Sequence, residues 1–294
     1  MSKTRLIVDN SHLIYRAAYA NSSLTTSKGR FSGHVFGSVA SLLAILRNEL
    51  KDQEVEMVFC YDGSRSKDYR REILPGYKAN REVREFNPVP EANEVLRLWP
   101  GIQILEETKE GDDAIAYAVR KLKGNPCVIL SSDRDLWALL QFPNCRVYSP
   151  NLKRFVELSD MYEPYHITAN PERIYLAKAL FGDASDGIKG IERLIKKQVE
   201  PILNADGVIT PADFYLKLGD VQPDFLSNKS WTKLKESKDK VFRNYQVILP
   251  QLDFAKESIV KVTGSFDALK QKLVEYECFS LLEQLSSIGN HSLV

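Results

Sequence analysis

The chain has 294 residues, 44% of them hydrophobic, enough to bury a sizeable core and to exclude a wholly disordered polypeptide. Its 40 Lys and Arg face 39 Asp and Glu, so total charge selects no partner and only local segregation of charge can do so. Cys60, Cys127, Cys145 and Cys278 form no CxxC pair, and His12, His34, His166 and His291 show no zinc-hydrolase spacing; reduced core thiols are expected, not disulfides or a zinc site.

In chain order, the opening MSKTRLIVDNSHLIY carries an apolar run that Asp9 cuts at once, too short for a signal peptide or a membrane span, and a cytoplasmic protein is expected. Branched apolar runs then recur as LIV at 6–8, VEMVFCY at 55–61, IQIL at 102–105, CVIL at 127–130 and CRVY at 145–148. Between them, VFGSVASLLAILRNEL at 35–50 and DDAIAYAVRKL at 112–122 have helical spacing. Alternation of this kind predicts an α/β protein with a mostly parallel central sheet flanked by helices, whose strand carboxyl ends form the natural ligand edge.

Acids stand at those ends. Asp9 follows LIV, Asp62 follows VFCY, Glu110, Asp112 and Asp113 follow IQIL and open a helix, and Asp133 and Asp135 follow CVILSS. Singly, Asp9-Asn10 reads as a cap, Asp62-Gly63 as a turn and Asp112-Asp113 as a helix start. Gathered at one edge without compensation they would repel and raise one another's pKa values. Divalent cations such as Mg²⁺ or Mn²⁺ remove that conflict, since they prefer oxygen ligands. Later, FGDASDGIKGIERLIKKQ adds Asp183 and Asp186, then a glycine turn with Lys189, Gly190, Arg193, Lys196 and Lys197 that can hold phosphate oxygens.

The ordered set IVDN at 7–10, YDG at 61–63, LPGYKANR at 74–81, KEGDDAIA at 109–116, SSDRDLWALL at 131–140 and FGDASDGIKGI at 181–191 resembles the structure-specific 5′ nucleases. These are the flap endonucleases and 5′-to-3′ exonucleases, related to the PIN-like nucleases, and the resemblance runs from about Leu6 to about Val199. It implies an acidic cluster of Asp9, Asp62, Glu110, Asp112, Asp113, Asp133, Asp135, Asp183 and Asp186 holding two Mg²⁺, with Mn²⁺ able to substitute. One ion would lie nearer Glu110 and Asp112 and the other nearer Asp133, Asp135 and Asp186. It also implies that Lys78 and Arg81 face the scissile phosphate from an arch over 64–99. Hydrolysis of a phosphodiester needs an aligned water, charge neutralisation and a stabilised leaving oxygen, which two ions roughly 4 Å apart supply.

From Arg65 to Arg84, seven basic residues face three acids, and Arg70, Arg71 and Tyr77 become candidate DNA contacts, Tyr77 either stacking on a base or packing against the arch. The prolines of Asn87-Pro88-Val89-Pro90 predict a short or partly ordered arch before a helix at about Glu91 to Trp99. Where the family has a GVxGIG turn, this chain has Gly190-Ile191-Glu192-Arg193-Leu194-Ile195, which puts a monovalent-cation site in question and shifts duplex anchoring onto Arg193, Lys196 and Lys197. A second basic stretch, Asn228 to Arg243, has six basic residues against two acids, and FDALKQKLVEYECFSLLEQLSSI predicts an amphipathic helix packing back on the body.

The expected division is a nuclease core at 1–180 and, at 181–294, a helix-hairpin-like duplex-binding region with a helical extension. The resemblance implies a bacteriophage or stand-alone bacterial-type enzyme, a monomer in the cytoplasm (the host's, if phage-encoded), associating with replication proteins. It would act on duplex DNA bearing a 5′ flap, nick or free 5′ end, with an RNA–DNA hybrid as a further candidate. A PIN-like ribonuclease, a non-catalytic branched-DNA binding factor and a topoisomerase-primase fold are the alternatives. The last leaves Asp9, Asp62 and the late acid pair unexplained.

Overall fold

The computed structural model describes residues 3–81, 86–121 and 124–288. Glu82 and Arg84, part of the expected arch, and His291 lie outside those residues. The chain runs β1 (Thr4–Asp9), α1 (Asn10–Ala20), α2 (Gly33–Asn48), β2 (Val55–Cys60), α3 (Asp68–Ile73), α4 (Val89–Leu96), β3 (Gly101–Ile104), α5 (Gly111–Lys121) and β4 (Cys127–Leu130). After a 3-10 helix at Arg134–Gln141 come β5 (Cys145–Ser149), β6 (Arg154–Phe155), α6 (Tyr162–Tyr165), α7 (Arg173–Phe181), β7 (Gly182–Asp183) and β8 (Ile188–Lys189). The remainder is α8 (Lys196–Leu203), α9 (Pro211–Leu218), α10 (Asn228–Glu236), α11 (Lys238–Ile248), β9 (Ile259–Val262), α12 (Phe266–Glu275) and α13 (Ser280–Ile288).

The main sheet has the order β6-β5-β4-β1-β2-β3-β9. Its five inner strands, all read from the sequence, are parallel, and β6 and β9 close the edges antiparallel. β1 and β2 carry almost uninterrupted apolar runs because helices cover both of their faces. Pleating divides the strand residues between two cores. Ile7, Val58 and Ile129 face the one shared with α5, α7, α8, α9 and α11, and Leu6, Val8, Met57, Phe59, Val128 and Leu130 face the one shared with α1, α2, α4, α12 and α13. Helices after residue 180 therefore contribute to both cores.

Register sets the functional edge. Asp9 pairs with Cys60 and Val8 with Leu130, so the chain leaves β1, β2 and β4 at one level, placing Asp9, Asp62 and the Ser131–Asp135 loop side by side. Gly63 makes this possible for Asp62: a Cβ there would lie 2.2 Å from the carbonyl oxygens of both Glu106 and Glu107, and its N–H donates to Lys109 O at 2.9 Å. Only glycine lets the loop leading to Glu110 pass so close.

Two local expectations need correction, and one helix takes a tighter form. α4 begins at Val89, not near Glu91, because Pro90 falls in the first turn, where a missing N–H breaks no intrahelical bond. The helix after Asp133 is 3-10, and its apolar residues Leu136, Leu139 and Trp137, Leu140 repeat every three positions as that geometry requires. The C-terminal amphipathic stretch is two helices, broken at Glu277, whose φ is 54°.

Candidate metal centre and nucleic-acid interface

Asp9 caps α1 and accepts from His12 N at 3.1 Å and from Ser131 Oγ at 2.8 Å. Burial pushes its carboxyl up to about 6, with His12 and Ser131 opposing and Asp133 adding repulsion. Asp62 is exposed, accepts from Gly111 N at 2.8 Å and from Ser11 Oγ, and so ties β2 to the start of α5. Asp133 caps the 3-10 helix, accepting from Asp135 N at 2.9 Å, while its own N–H donates to Ser131 Oγ at 3.0 Å. Asp112 has its pKa pushed well up, first by burial and then by the charges of Asp133 and Asp9. The three acids of β1, β4 and α5 thus feel one another across the strand ends.

A second group gathers around the turn after α7. Single carboxylate oxygens of Asp135, Asp183 and Asp186 lie within 4.8 Å of one another. Lys178, 4% exposed on α7, sits between them, paired with Asp135 and 2.5 Å from Asp183 Oδ2. Burial would lower the Lys178 pKa, but the two aspartates outweigh it and hold the ammonium charged. Asp135 is raised by burial to about 7 despite Lys178, whereas for Asp183 burial is outweighed by Lys178 and by Ser185, which donates its N–H at 2.9 Å and its hydroxyl at 2.6 Å.

Between the groups lies a cationic bridge. Lys78 Nζ is 2.7 Å from Glu110 Oε1 and 3.8 Å from Asp186 Oδ1, and Arg81 Nη2 is 2.9 Å from Asp186 Oδ1. Lys78 is buried, and burial alone would lower its pKa, but Glu110 and Asp186 raise it. Its backbone has φ 50° and its N–H donates to Asp186 O at 2.8 Å. A lysine in the left-handed region costs on the order of 1 kcal/mol, which that hydrogen bond and those ion pairs offset.

Several residues read from the sequence occupy other roles. Tyr77 is 3% exposed and donates to Glu110 Oε2 at 2.7 Å, so its ring is in the core and not on a base-stacking surface. Arg70 is 4% exposed and bidentate to Asp113 at 2.7 and 2.9 Å, with Glu110 Oε2 at 3.1 Å; a direct DNA contact is ruled out by burial. Asp113, fully buried, also accepts from Glu110 N at 3.0 Å and Gln251 N at 2.8 Å, which uses its oxygens to fix Glu110 and leaves none facing the acid cluster. Lys196 turns inward, donating to Pro164 O at 2.9 Å with its ammonium 5.3 Å from the Phe181 ring centre. Arg71, Lys189, Arg193 and Lys197 are exposed, and Gly190 sits in the turn between β8 and α8. Lys178 was missed because a lysine in an apolar helix reads as a solvated residue; its one sequence signal is its place five residues before Asp183.

Carboxylate oxygens in this number are hard donors suited to Mg²⁺ or Mn²⁺ and poorly suited to thiophilic metals, and no Cys or His joins the three-carboxylate group. Asp9 and Asp112 are raised first by burial and further by the carboxylates beside them. Among the described residues no helix is long and apolar enough to cross a membrane.

The chain is similar to several known proteins. The profile of the 5′-3′ exonuclease N-terminal resolvase-like domain matches residues 4–168. The chain is 28% identical over 302 residues to a 5′-3′ exonuclease of Aquifex aeolicus, covering 97% of this chain and 96% of that one. It is 30% identical over 301 residues to DNA polymerase I of Thermus filiformis, of which it spans 34%. Among solved structures, bacteriophage T5 5′-exonuclease with bound zinc superposes with a TM-score of 0.65 at 21% identity, over 93% of this chain and 99% of that chain. The catalytic core of Rad2 in complex with a DNA substrate gives 0.55 at 16% identity, over 97% and 92%. At these identities the superpositions speak for the fold.

Proposed function

From its membership of the 5′-3′ exonuclease family, which makes this chain a nuclease, we propose a divalent-metal-dependent 5′-to-3′ exonuclease and 5′-flap endonuclease acting on duplex DNA with a flap, nick or free 5′ end. RNA–DNA hybrids are a second polymer within the same reading. The observation that carries it is the meeting of carboxylates from three parallel strand ends, the start of α5 and the β7–β8 turn with the ammonium of Lys78 and the guanidinium of Arg81.

In this reading Asp9, Asp62, Glu110, Asp112, Asp133, Asp135, Asp183 and Asp186 hold two Mg²⁺, and Asp113 acts from behind by fixing Glu110 and Arg70. Bound ions would activate the attacking water and neutralise the reacting phosphate. Lys78 and Arg81 are the catalytic residues: their partners Glu110 and Asp186 are also proposed ligands, so filling the site frees both cations toward a phosphate. Lys178 holds Asp135 and Asp183 close together and keeps Asp183 charged before metal arrives. Residues 1–180, with the arch at 64–99, form the catalytic part, and the turn from Lys189 to Lys197 with the following helices forms the duplex-binding part. Lys189, Gly190, Arg193 and Lys197 supply the duplex contacts, and Arg71 an outer one. A cytoplasmic location fits four buried free thiols, and the same reading takes the protein as a monomer working beside replication proteins.

The test is a panel of 5′-flap, nicked, blunt and RNA–DNA hybrid duplexes, each labelled at either end, in Mg²⁺, Mn²⁺ and chelator. Release from the 5′ side with 5′-phosphate ends on the remaining strand is expected. Cleavage confined to RNA, or removal from the 3′ end, contradicts the reading.

A further inference from the structure

The turn after β8 is gripped from one side. Gly190 crosses the end of α7 so closely that a Cβ there would lie 2.1 Å from the Phe181 carbonyl carbon, and Arg193 takes φ 55°, the backbone a glycine would normally supply. Three carbonyl oxygens of this short segment are each capped by a side chain of α10 or α11. Lys189 O accepts from Asn244 Nδ2 at 3.0 Å, Gly190 O from Lys240 Nζ at 2.6 Å and Glu192 O from Lys233 Nζ. Asn244 is 1% exposed and also donates to Ala179 O at 3.1 Å, so α11 is fastened to α7 at the same place.

Carbonyl oxygens brought together by a turn concentrate partial negative charge and call for a cation or a set of donors. Here two ammonium groups and a buried amide meet that demand. Of the six basic side chains between Asn228 and Arg243, Lys233 and Lys240 are thus taken by the turn, and Lys235 is taken by the α9–α10 connection, donating to Gly219 O at 2.6 Å and pairing with Asp220 at 2.9 Å. The stretch that reads in sequence as a phosphate track spends half of its cations on neighbouring protein groups.

We propose that Lys240 and Lys233 are positioning residues: built-in cations that hold the Lys189–Arg193 turn in the shape that the duplex contact requires, so that this turn works without a free monovalent cation. The duplex contact itself rests on the reading given under Proposed function; the brace does not. Removing the ammonium groups leaves two carbonyls uncapped, loosens the turn, and creates a demand for an external cation that the wild type lacks.

Two arms test it on the intact protein. The first follows amide hydrogen exchange by mass spectrometry, without DNA, in KCl, NaCl and LiCl at equal ionic strength. Wild-type exchange over residues 189–197 is expected to be the same in all three salts, and Lys240→Met/Lys233→Met to exchange there about tenfold faster, with sheet peptides unchanged. Should the double variant not fold, Lys240→Met alone carries the same comparison, and Lys240→Arg, which keeps a donor, should restore protection. The second arm measures duplex affinity by anisotropy in the same salts. The wild-type Kd should not depend on the cation, and the double variant's should rise about tenfold in LiCl and recover in part in KCl. Slower wild-type exchange in KCl than in LiCl, or a double variant that exchanges like wild type, overturns the proposal. Failure of the wild type to bind duplex in any salt would defeat the duplex reading, while the exchange arm still decides the brace.

Discussion

At the scale of single residues, the site is a balance of buried charges. Asp135 and Asp183 share Lys178, and Glu110 and Asp186 share Lys78, so four of the eight proposed ligands have a protein cation in attendance. Lys178→Met leaves two carboxylates without that partner, and breaking a buried pair in this way costs up to about 3 kcal/mol. The melting temperature should fall markedly in chelator and much less in Mg²⁺; an equal fall in both would mean that Lys178 and the ion do not serve the same oxygens. Arg70→Met exposes the fully buried Asp113 to the same penalty, about 3 kcal/mol. Its expected signature is lost stability at unchanged duplex affinity per folded molecule, and a specific loss of affinity in a fully folded variant would return Arg70 to the DNA surface. Protonation follows the same logic. With Asp9 at about 6 and Asp135 at about 7, both raised chiefly by burial, the metal-free folded state holds protons that the unfolded chain gives up. The stability due to them is complete below the ordinary carboxylate range and is lost as pH rises through about 6 to 7. Mg²⁺ takes over once the protons are gone, so the rise in melting temperature on adding Mg²⁺ should be larger near pH 8 than near pH 5. Equal rises would contradict that coupling.

At the scale of elements, what could be read in the sequence was the local pattern. Of the five parallel strands, β1, β2 and β4 announce themselves most plainly, because burial on both faces demands unbroken runs such as LIV and CVIL, and the acid that follows each of these three runs marks the end at which the chain leaves the sheet. β6 and β9 do not announce themselves: two and four residues long, at sheet edges, they owe their pairing to neighbours distant in sequence. The same holds for partners. Nothing in GYKANR tells Tyr77 to bury its hydroxyl against Glu110, and nothing in DDAIAY says that Asp113 will be taken by Arg70, because both choices are made by how α3 and α11 pack beside α5. The acids were legible as a set of candidate ligands, and the withdrawal of Asp113 onto Arg70 was not. The turn at Lys189–Arg193 is similar, since its departure from a glycine-rich pattern is visible in sequence while the side chains capping its carbonyls come from 41 to 55 residues away.

At the scale of the whole molecule, two cores on either side of one sheet hold the strand ends level, and the proposed chemistry lies on the edge they define. The helices proposed to bind duplex grow out of the core that lies beneath the Asp135–Lys178–Asp183 group, so the proposed duplex contact and the acid cluster share one support. Because net charge is only +1, duplex binding has to come from local cations, and Lys197→Ala with Arg193→Ala should reduce the slope of log affinity against log salt by about 1 to 2. An unchanged slope would put the duplex track elsewhere. The central claim, that carboxylates at the carboxyl ends of parallel strands hold divalent ions for 5′ cleavage, is met most directly by one measurement. Single-turnover cleavage of a 5′-flap duplex is followed in Mg²⁺ and in chelator by wild type and by Asp135→Asn, with melting curves recorded alongside. Cleavage near the flap junction by wild type in Mg²⁺ alone is predicted, with the folded Asp135→Asn slower by at least about a hundredfold. Cleavage that survives chelation, or a folded Asp135→Asn that cleaves at the wild-type rate, would contradict it.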